Sequence, residues 1–382
     1  MKKYKVIILG GGASGCMCAM ATKEKSVAII DANNRLAKKI LVTGNGRCNL
    51  TNLYMSSSFF NVDTNKYLSR FNEKDVLKFF ENIGLECYSD EEGRVYPLSN
   101  SAKSVQDVII RKLDGKVDFF GEEKIEMVMC KDNAYFIKTD KGEYIAEKLV
   151  IATGGNSLSY LKNIDIKVKE AKPCLVALKT KSIKELGGIK LSNVKVTARN
   201  SKGKTMTDMG EVLFKEQGLS GIVVFNISTL FARSGEFKGN ASIDLLPDIN
   251  IETLIKTIER RKNLSAKTEK LFVGMFQNAV ASEIFKQSGI DTNKLASKLT
   301  SKEIEKLSKT IKNLSFDIVD SYDNNQIFTG GVELKDLTNN LEHIKYKNLY
   351  FIGEACNVDG ECGGYNLQWA WTSGKIVGDN LC

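Results

Sequence analysis

The sequence predicts an α/β fold: a Rossmann-like dinucleotide-binding domain made discontinuous by a β-rich plus helical insert domain. Three observations lead there. An apolar run of strand length, Tyr4–Leu9, passes directly into Gly10-Gly11-Gly12-Ala13-Ser14-Gly15, then small residues, then a second apolar strand ending at Asp31. Strand, glycine turn, helix and strand in such a short stretch make one βαβ unit of a parallel sheet. The composition then shifts after about Pro173, and α/β character returns near the end, where Asn348–Ile352 is again a short apolar run.

The elements follow in order. Tyr4–Leu9 is unbroken and apolar, as a strand covered on both faces must be. Cys16–Ala21 is small and apolar, suited to a helix lying close on a sheet, and Ser26–Ile30 is the second strand. Phe71–Gly84 sets Val76, Leu77, Phe79, Phe80 and Ile83 at helical spacing and stops at a glycine. Lys116–Lys148 reads as three strands divided by polar turns at Lys131-Asp132-Asn133 and Lys141-Gly142, and Leu149–Ala152 as a further buried strand ending in Thr153-Gly154-Gly155. Residues 176–248 read as β-rich (Val194–Ala198, Ile222–Ile227, Ala241–Leu245). Residues 249–314 read as helical (Ile251–Arg261, Thr268–Val273, Ala279–Gln287, Lys302–Lys312). Asn348–Ile352 is a buried strand leading through Gly353-Glu354 and a glycine-rich loop to a last helix near Leu367–Leu381. The expected domains are 1–175 with 327–382, and an insert at 176–326.

Composition narrows the function. The 382 residues are 42% hydrophobic and 26% charged, which is globular and excludes disorder. No apolar run approaches the ~20 residues of a bilayer span. The first strand runs into glycines rather than a cleavage site, so a cytoplasmic protein with no membrane partner is expected. The nine cysteines are scattered without a Cys-x-x-Cys pair, so neither a disulfide framework nor a metal site is expected. The single histidine, His343, excludes most Ser-His-Asp and Cys-His schemes and reads as structural. The net charge of +9 is spread along the chain. Lys298–Lys312 reads as a solvated helix face, so nucleic acid is not an expected partner. Nothing in the sequence speaks to oligomeric state.

Four motifs carry chemistry. Gly10-x-Gly12-x-x-Gly15 with Asp31 is the dinucleotide fingerprint in its strand–helix–strand setting: a tight turn, room for a pyrophosphate, close helix packing, and an acid for the ribose. The charge of Asp31 would repel the 2′-phosphate of NADP, but the fingerprint does not separate FAD from NAD. Thr43–Asn52 (TGNGRCNLTN) is dense in Gly, Asn and Thr and can wrap a polar ligand, with Arg47 available to an anion. A solvated turn with a neutral Cys48 is the other reading, and both stay open. Leu149–Gly155 is a strand ending in small residues at the carboxyl edge of the sheet. Tyr350–Gly374 delivers a glycine loop onto a new helix N-terminus, a second anion or dipole site.

On these motifs the chain resembles the FAD-binding enzymes of the aminoacetone oxidase family, which includes BaiN-type bile acid reductases. The matching segments are GGGASG, KKILVTGNGRCNLTN, GRVYP (Gly93–Pro97), LVIATGG, PCLVAL (Pro173–Leu178), GEVLFKEQGLSG (Gly210–Gly221), TGGV (Thr329–Val332) and GEACNVDGECGGYNLQWAWTSG (Gly353–Gly374). The resemblance implies FAD in the discontinuous domain. Gly10, Gly12, Ala13, Ser14 and Gly15 would hold the pyrophosphate, Asp31 with Ala32 the adenosine ribose, and the backbone of Ile125 the adenine. Thr43, Gly44, Gly46, Arg47, Cys48 and Asn49 would lie along the flavin, with Ala152, Thr153 and Gly154 against the cofactor. Gly353 and Glu354 would meet the ribityl chain and pyrophosphate, and Gly364, Tyr365, Asn366, Leu367 and Gln368 the isoalloxazine; Lys39 completes the set. Three features depart from the family pattern: a short Asn156–Lys172, Ile222 where proline is usual, and no Met-x-Ser-Lys before the last strand.

The function implied is FAD-dependent oxidoreduction of a small molecule through flavin N5, with the flavin supplying the chemistry. It is either amine oxidation with O₂ or NAD(P)H-linked reduction of an unsaturated or keto substrate. With one dinucleotide fingerprint, any nicotinamide would bind transiently at the flavin face. The insert is expected to cover the flavin and set specificity. No catalytic residue is assigned. Arg94, Tyr96, Tyr365 and Trp369 could face a substrate but read rather as packing or cofactor-supporting residues than as catalytic ones, and Cys48 beside Arg47 is a candidate for a lowered pKa. The alternatives are an RNA-modifying flavoprotein, supported only by the positive charge, and a flavin-binding protein without turnover.

Overall fold

The first strand, Lys2–Leu9, is buried from Val6 onward, and Val27–Ile30 is buried throughout, so the two apolar runs pair in parallel inside a sheet. The protein is described by a computed structural model over residues 1–155, 158–181, 183–323 and 326–381. The chain divides into two units, Met1–Pro173 with Gln326–Cys382, and Cys174–Asn325.

In the first unit the strands run Asp118–Phe120, Val27–Ile30, Lys2–Leu9 and Glu143–Ile151, all parallel. Strand Glu143–Ile151 then has two partners on one edge. Its first half pairs antiparallel with Ala134–Thr139, which leads on to Ile125–Lys131, and its second half pairs in parallel with Leu349–Phe351. The register sets Ile30, Leu9, Ile151 and Phe351 side by side. Four chain segments therefore leave the sheet together at its carboxyl edge: Asp31, Gly10, Ala152 and Ile352-Gly353. That edge is where ligands sit in open parallel sheets. Beneath it, helix Ala13–Ala21 packs on helix Tyr365–Asp379 so closely that a Cβ on Gly374 would lie 2.4 Å from the Ser14 carbonyl oxygen.

The second unit is a closed six-stranded barrel in the order Leu178–Thr180, Gly218–Ser220, Thr205–Lys215, Lys190–Asn200, Gly239–Asp244 and Leu314–Ser321, with the last pairing back to the first. Helices Ile251–Lys262, Asn278–Ser288 and Ser301–Lys312 follow in the chain order expected. The barrel and helices share one core, separate from that of the first unit.

Three expectations are corrected. Ile222–Ile227 is not a strand but the start of helix Ile222–Ser234, which begins after Gly221 at φ 106°. Its β-branched run suggested a strand, but burial of Val223, Ile227 and Phe231, four apart, decides for a helix. Thr268–Val273 contains only a single 3₁₀ turn, Thr268–Lys270. The region read as three strands holds Asp118–Phe120, Ile125–Lys131 and Ala134–Thr139, and its last part runs without a break into Ile151. Of the short Asn156–Lys172 segment, 156 and 157 lie outside the described residues, as does Cys382. Among the described residues no helix is long and apolar enough to cross a membrane.

Candidate functional site

The glycine turn is built by close approach. Gly10 sits at φ 106°, and a Cβ there would lie 2.3 Å from the Ala152 carbonyl oxygen; one on Gly15 would lie 2.0 Å from the Gly10 carbonyl oxygen. Strand end, turn and helix thus touch through backbone. Gly12 differs: a Cβ there would meet nothing within 4 Å. It is the N-cap of helix Ala13–Ala21 and provides no side-chain cap, and the amides of Gly12, Ala13, Ser14 and Gly15 have no hydrogen-bond partner among the described residues. Unpartnered N–H groups at the positive end of a helix, around an open cradle, suit a diphosphate.

Asp31 braces that turn from below. One carboxylate oxygen accepts the Gly11 N–H at 2.6 Å, and the other accepts the backbone and side-chain N–H groups of Asn33 at 2.6 and 2.8 Å. The Asp31 carbonyl accepts the Glu123 N–H, which brings the chain to Ile125, the first residue of its strand, while Ala32 is exposed. The Ala37 N–H donates to the Gly11 carbonyl at 2.7 Å, with Ala37 at φ 54°. Gln106, fully buried in helix Ala102–Leu113, donates to the Leu36 carbonyl at 2.8 Å and so fixes this clasp. Sequence reading missed Gln106. A glutamine among the apolar positions Val105 and Ile109 was the one signal available.

The Thr43–Asn49 loop is held by its own backbone. The Thr43 hydroxyl donates to Ile40, the Arg47 N–H to Gly44 and the Cys48 N–H to Thr43, with Gly44, Asn45, Gly46 and Cys48 all at positive φ. The Arg47 guanidinium carbon lies 4.3 Å over the Tyr96 ring. Cys48 is fully buried and burial pushes its thiol up to about 12, so the lowered pKa expected for it is wrong. Desolvation outweighs the lowering pull of the hydrogen bond with Thr43. Lys39 pairs with Glu354 at 3.1 Å, and Glu354 also accepts the Phe328 N–H.

At the second helix start, Gly364 is at φ 100°, and a Cβ there would lie 2.5 Å from the Thr51 carbonyl oxygen and 2.9 Å from Asn49 Oδ1. That Asn49 oxygen is buried with no hydrogen-bond partner among the described residues, and a donor on a bound group would satisfy it. The side chains around it are committed inward. Asn366 bonds to Gly360 and Glu361; Gln368, fully buried, accepts from Thr51 and donates to Phe71 and Thr372. Tyr365 stacks on Phe59 at 4.4 Å, and Leu367 is half-buried. Trp369 Nε1 donates to the Gly353 carbonyl, while the Gly353 N–H donates to Ser373. A Cβ on Gly353 would lie 2.5 Å from Ser14 Oγ, so the two glycine segments meet at Ser14. Thr153 shares a hydrogen bond with Tyr160 at 2.7 Å, and Gly154 faces open space. His343 accepts the Lys345 N–H through Nδ1, and burial lowers its pKa, as a packed structural histidine requires.

Comparison with known proteins adds the following. A family model described as HI0933-like protein Rossmann domain matches residues 4–380. The chain is 30% identical to a 3-dehydro-bile acid delta(4,6)-reductase of Clostridium scindens, over 98% of this chain and 98% of that one. It is 28% identical to a ribosomal RNA dihydrouridine synthase of Escherichia coli, over 100% of this chain and 98% of the other. A protein of the same description from Haemophilus influenzae is 26% identical, over 96% of each chain.

Proposed function

We propose that this chain, which belongs to the HI0933-like Rossmann-domain family of FAD-dependent oxidoreductases, reduces a carbon–carbon double bond conjugated to a carbonyl group. One observation carries the reading: the full-length match to a reductase whose name describes such a conjugated system. A dihydrouridine synthase also saturates a ring double bond next to a carbonyl, so the two differently named relatives share one type of reaction. Amine oxidation has no such support.

FAD, when bound, supplies hydride transfer at its N5. In this proposal the chain does the rest. The Gly12–Gly15 amides and the positive helix end hold the diphosphate, Asp31 accepts from the ribose hydroxyls, and the backbone at Ile125 meets the adenine. The start of helix Tyr365–Asp379 stabilises negative charge at the pyrimidine edge of the flavin. The reductant is NADH or NADPH, bound transiently. Cys16, Cys18, Cys48, Cys87, Cys130 and Cys356 are free thiols, which suits a reducing, cytoplasmic setting.

RNA as the substrate is the second reading. The net charge is not spread along the chain as expected: residues 174–325, including the lysine-rich helices, hold 24 Lys and Arg against 17 Asp and Glu, +7 of the +9, and that observation favours a polyanion. Anaerobic stopped-flow spectroscopy separates the readings. NADH or NADPH should bleach the flavin, and a conjugated ketone should restore its colour. Restoration by a uridine-rich transcript instead, weakening steeply with salt, selects RNA. Bleaching by amines and by neither nicotinamide would overturn the reductase assignment.

A further inference from the structure

We propose that Arg47 and Tyr96 together form the site that receives the substrate's carbonyl oxygen; this rests on the reductase reading above. Tyr96 lies on strand Arg94–Pro97 and is only 3% exposed, packed against Arg47 at 4.3 Å and Tyr88 at 6.0 Å. Its hydroxyl has no hydrogen-bond partner among the described residues. The ring is buried but its oxygen is not sealed off, so the hydroxyl is able to donate to a ligand. Burial raises the phenol's pKa against the opposing pull of Arg94 and Arg47, so it stays a neutral donor.

The two arginines nearby differ in one decisive respect. Arg94 is neutralised by Asp90 at 2.7 Å and by Glu92. Arg47 has no carboxylate partner among the described residues; its Nε donates weakly to the Gly44 carbonyl at 3.4 Å, which leaves its terminal nitrogens available. The Arg47 backbone is pinned to Gly44, and two residues on Asn49 abuts Gly364, where helix Tyr365–Asp379 begins. An unpaired guanidinium and a neutral phenol, held face to face near a helix N-terminus, offer cation and donor to one oxygen. That suits a carbonyl oxygen that gains negative charge as its conjugated double bond is reduced.

The test uses the oxidised holoprotein and p-nitrophenolate as a fixed analogue of the charged oxygen, with binding followed in the probe's own visible band. Wild type should bind saturably, and Tyr96→Phe and Arg47→Gln should each weaken binding about tenfold or more, with Arg47→Lys between. Flavin content is measured on every variant. Unchanged affinity in both variants overturns the assignment. So does loss of flavin with unchanged affinity in the protein that keeps it, because the pair would then serve the cofactor. Should wild type bind the probe through these two residues yet reduce no conjugated ketone, the oxygen site stands and the reductase reading falls.

Discussion

Gly12 separates folding from binding at the level of one residue. A methyl group there meets no protein atom, whereas one on Gly10 or Gly15 strikes backbone. Gly12→Ala should therefore leave the melting temperature of the apoprotein at the wild-type value while lowering FAD affinity by about tenfold, roughly 1.4 kcal/mol, in titration calorimetry. Gly10→Ala and Gly15→Ala should lower both. The buried thiols give a second expectation. Burial raises Cys16 and Cys48 to about 12, from an ordinary value near 9. Their contribution to stability is whole below about pH 9 and is lost as the pH climbs from 9 toward 12, because only the unfolded chain ionises there. Urea midpoints at pH 8 and pH 10.5 should show the fall, and at pH 8 a maleimide should label the exposed Cys130 while sparing Cys48. The glycine fingerprint was legible because glycine spacing reports backbone needs directly. The clasp of Gln106 and the open hydroxyl of Tyr96 were not, since both depend on neighbours far away in sequence.

Among the elements, the helix pair Ala13–Ala21 and Tyr365–Asp379 matters most, because each begins at a glycine segment of the site. Gly374→Ala would push a methyl to 2.4 Å from the Ser14 carbonyl and force the pair apart. It should cost about 1–3 kcal/mol in denaturant titration. Flavin should weaken with it, since Ser14 carries one of the cradle amides. Asn72→Ala removes the capping box of helix Glu73–Asn82 and should cost about 1 kcal/mol with flavin affinity intact. The buried strands were legible as apolar runs, and the helix over Phe71–Gly84 by its period. Helix Ile222–Ser234 was misread because isoleucine and valine favour strands locally, and only its position on the barrel overrides that.

For the molecule as a whole, composition placed the boundaries near Pro173 and near 326, and the contacts divide it at Pro173 and Gln326. Lys169–Cys174 pairs with Ile327–Gly331, and Leu178–Thr180 with Leu314–Ser321, so each unit brings its own broken ends together. Replacing 174–325 by a short glycine–serine bridge should leave a soluble yellow protein that keeps FAD but discriminates poorly among substrates. A colourless product would show that the insert is needed for the cofactor. The closed barrel itself was not legible, since closure depends on strand pairing across more than a hundred residues. The shared edge of Glu143–Ile151 has a cost during synthesis. Half of it is paired early, but the half next to the site waits for Leu349–Phe351 while the ribosome makes nearly two hundred further residues. At 5–20 residues per second that is roughly 10–40 s with an apolar strand uncovered. The nascent chain should therefore depend on chaperones, and cooler, slower expression should raise the yield of correctly closed protein.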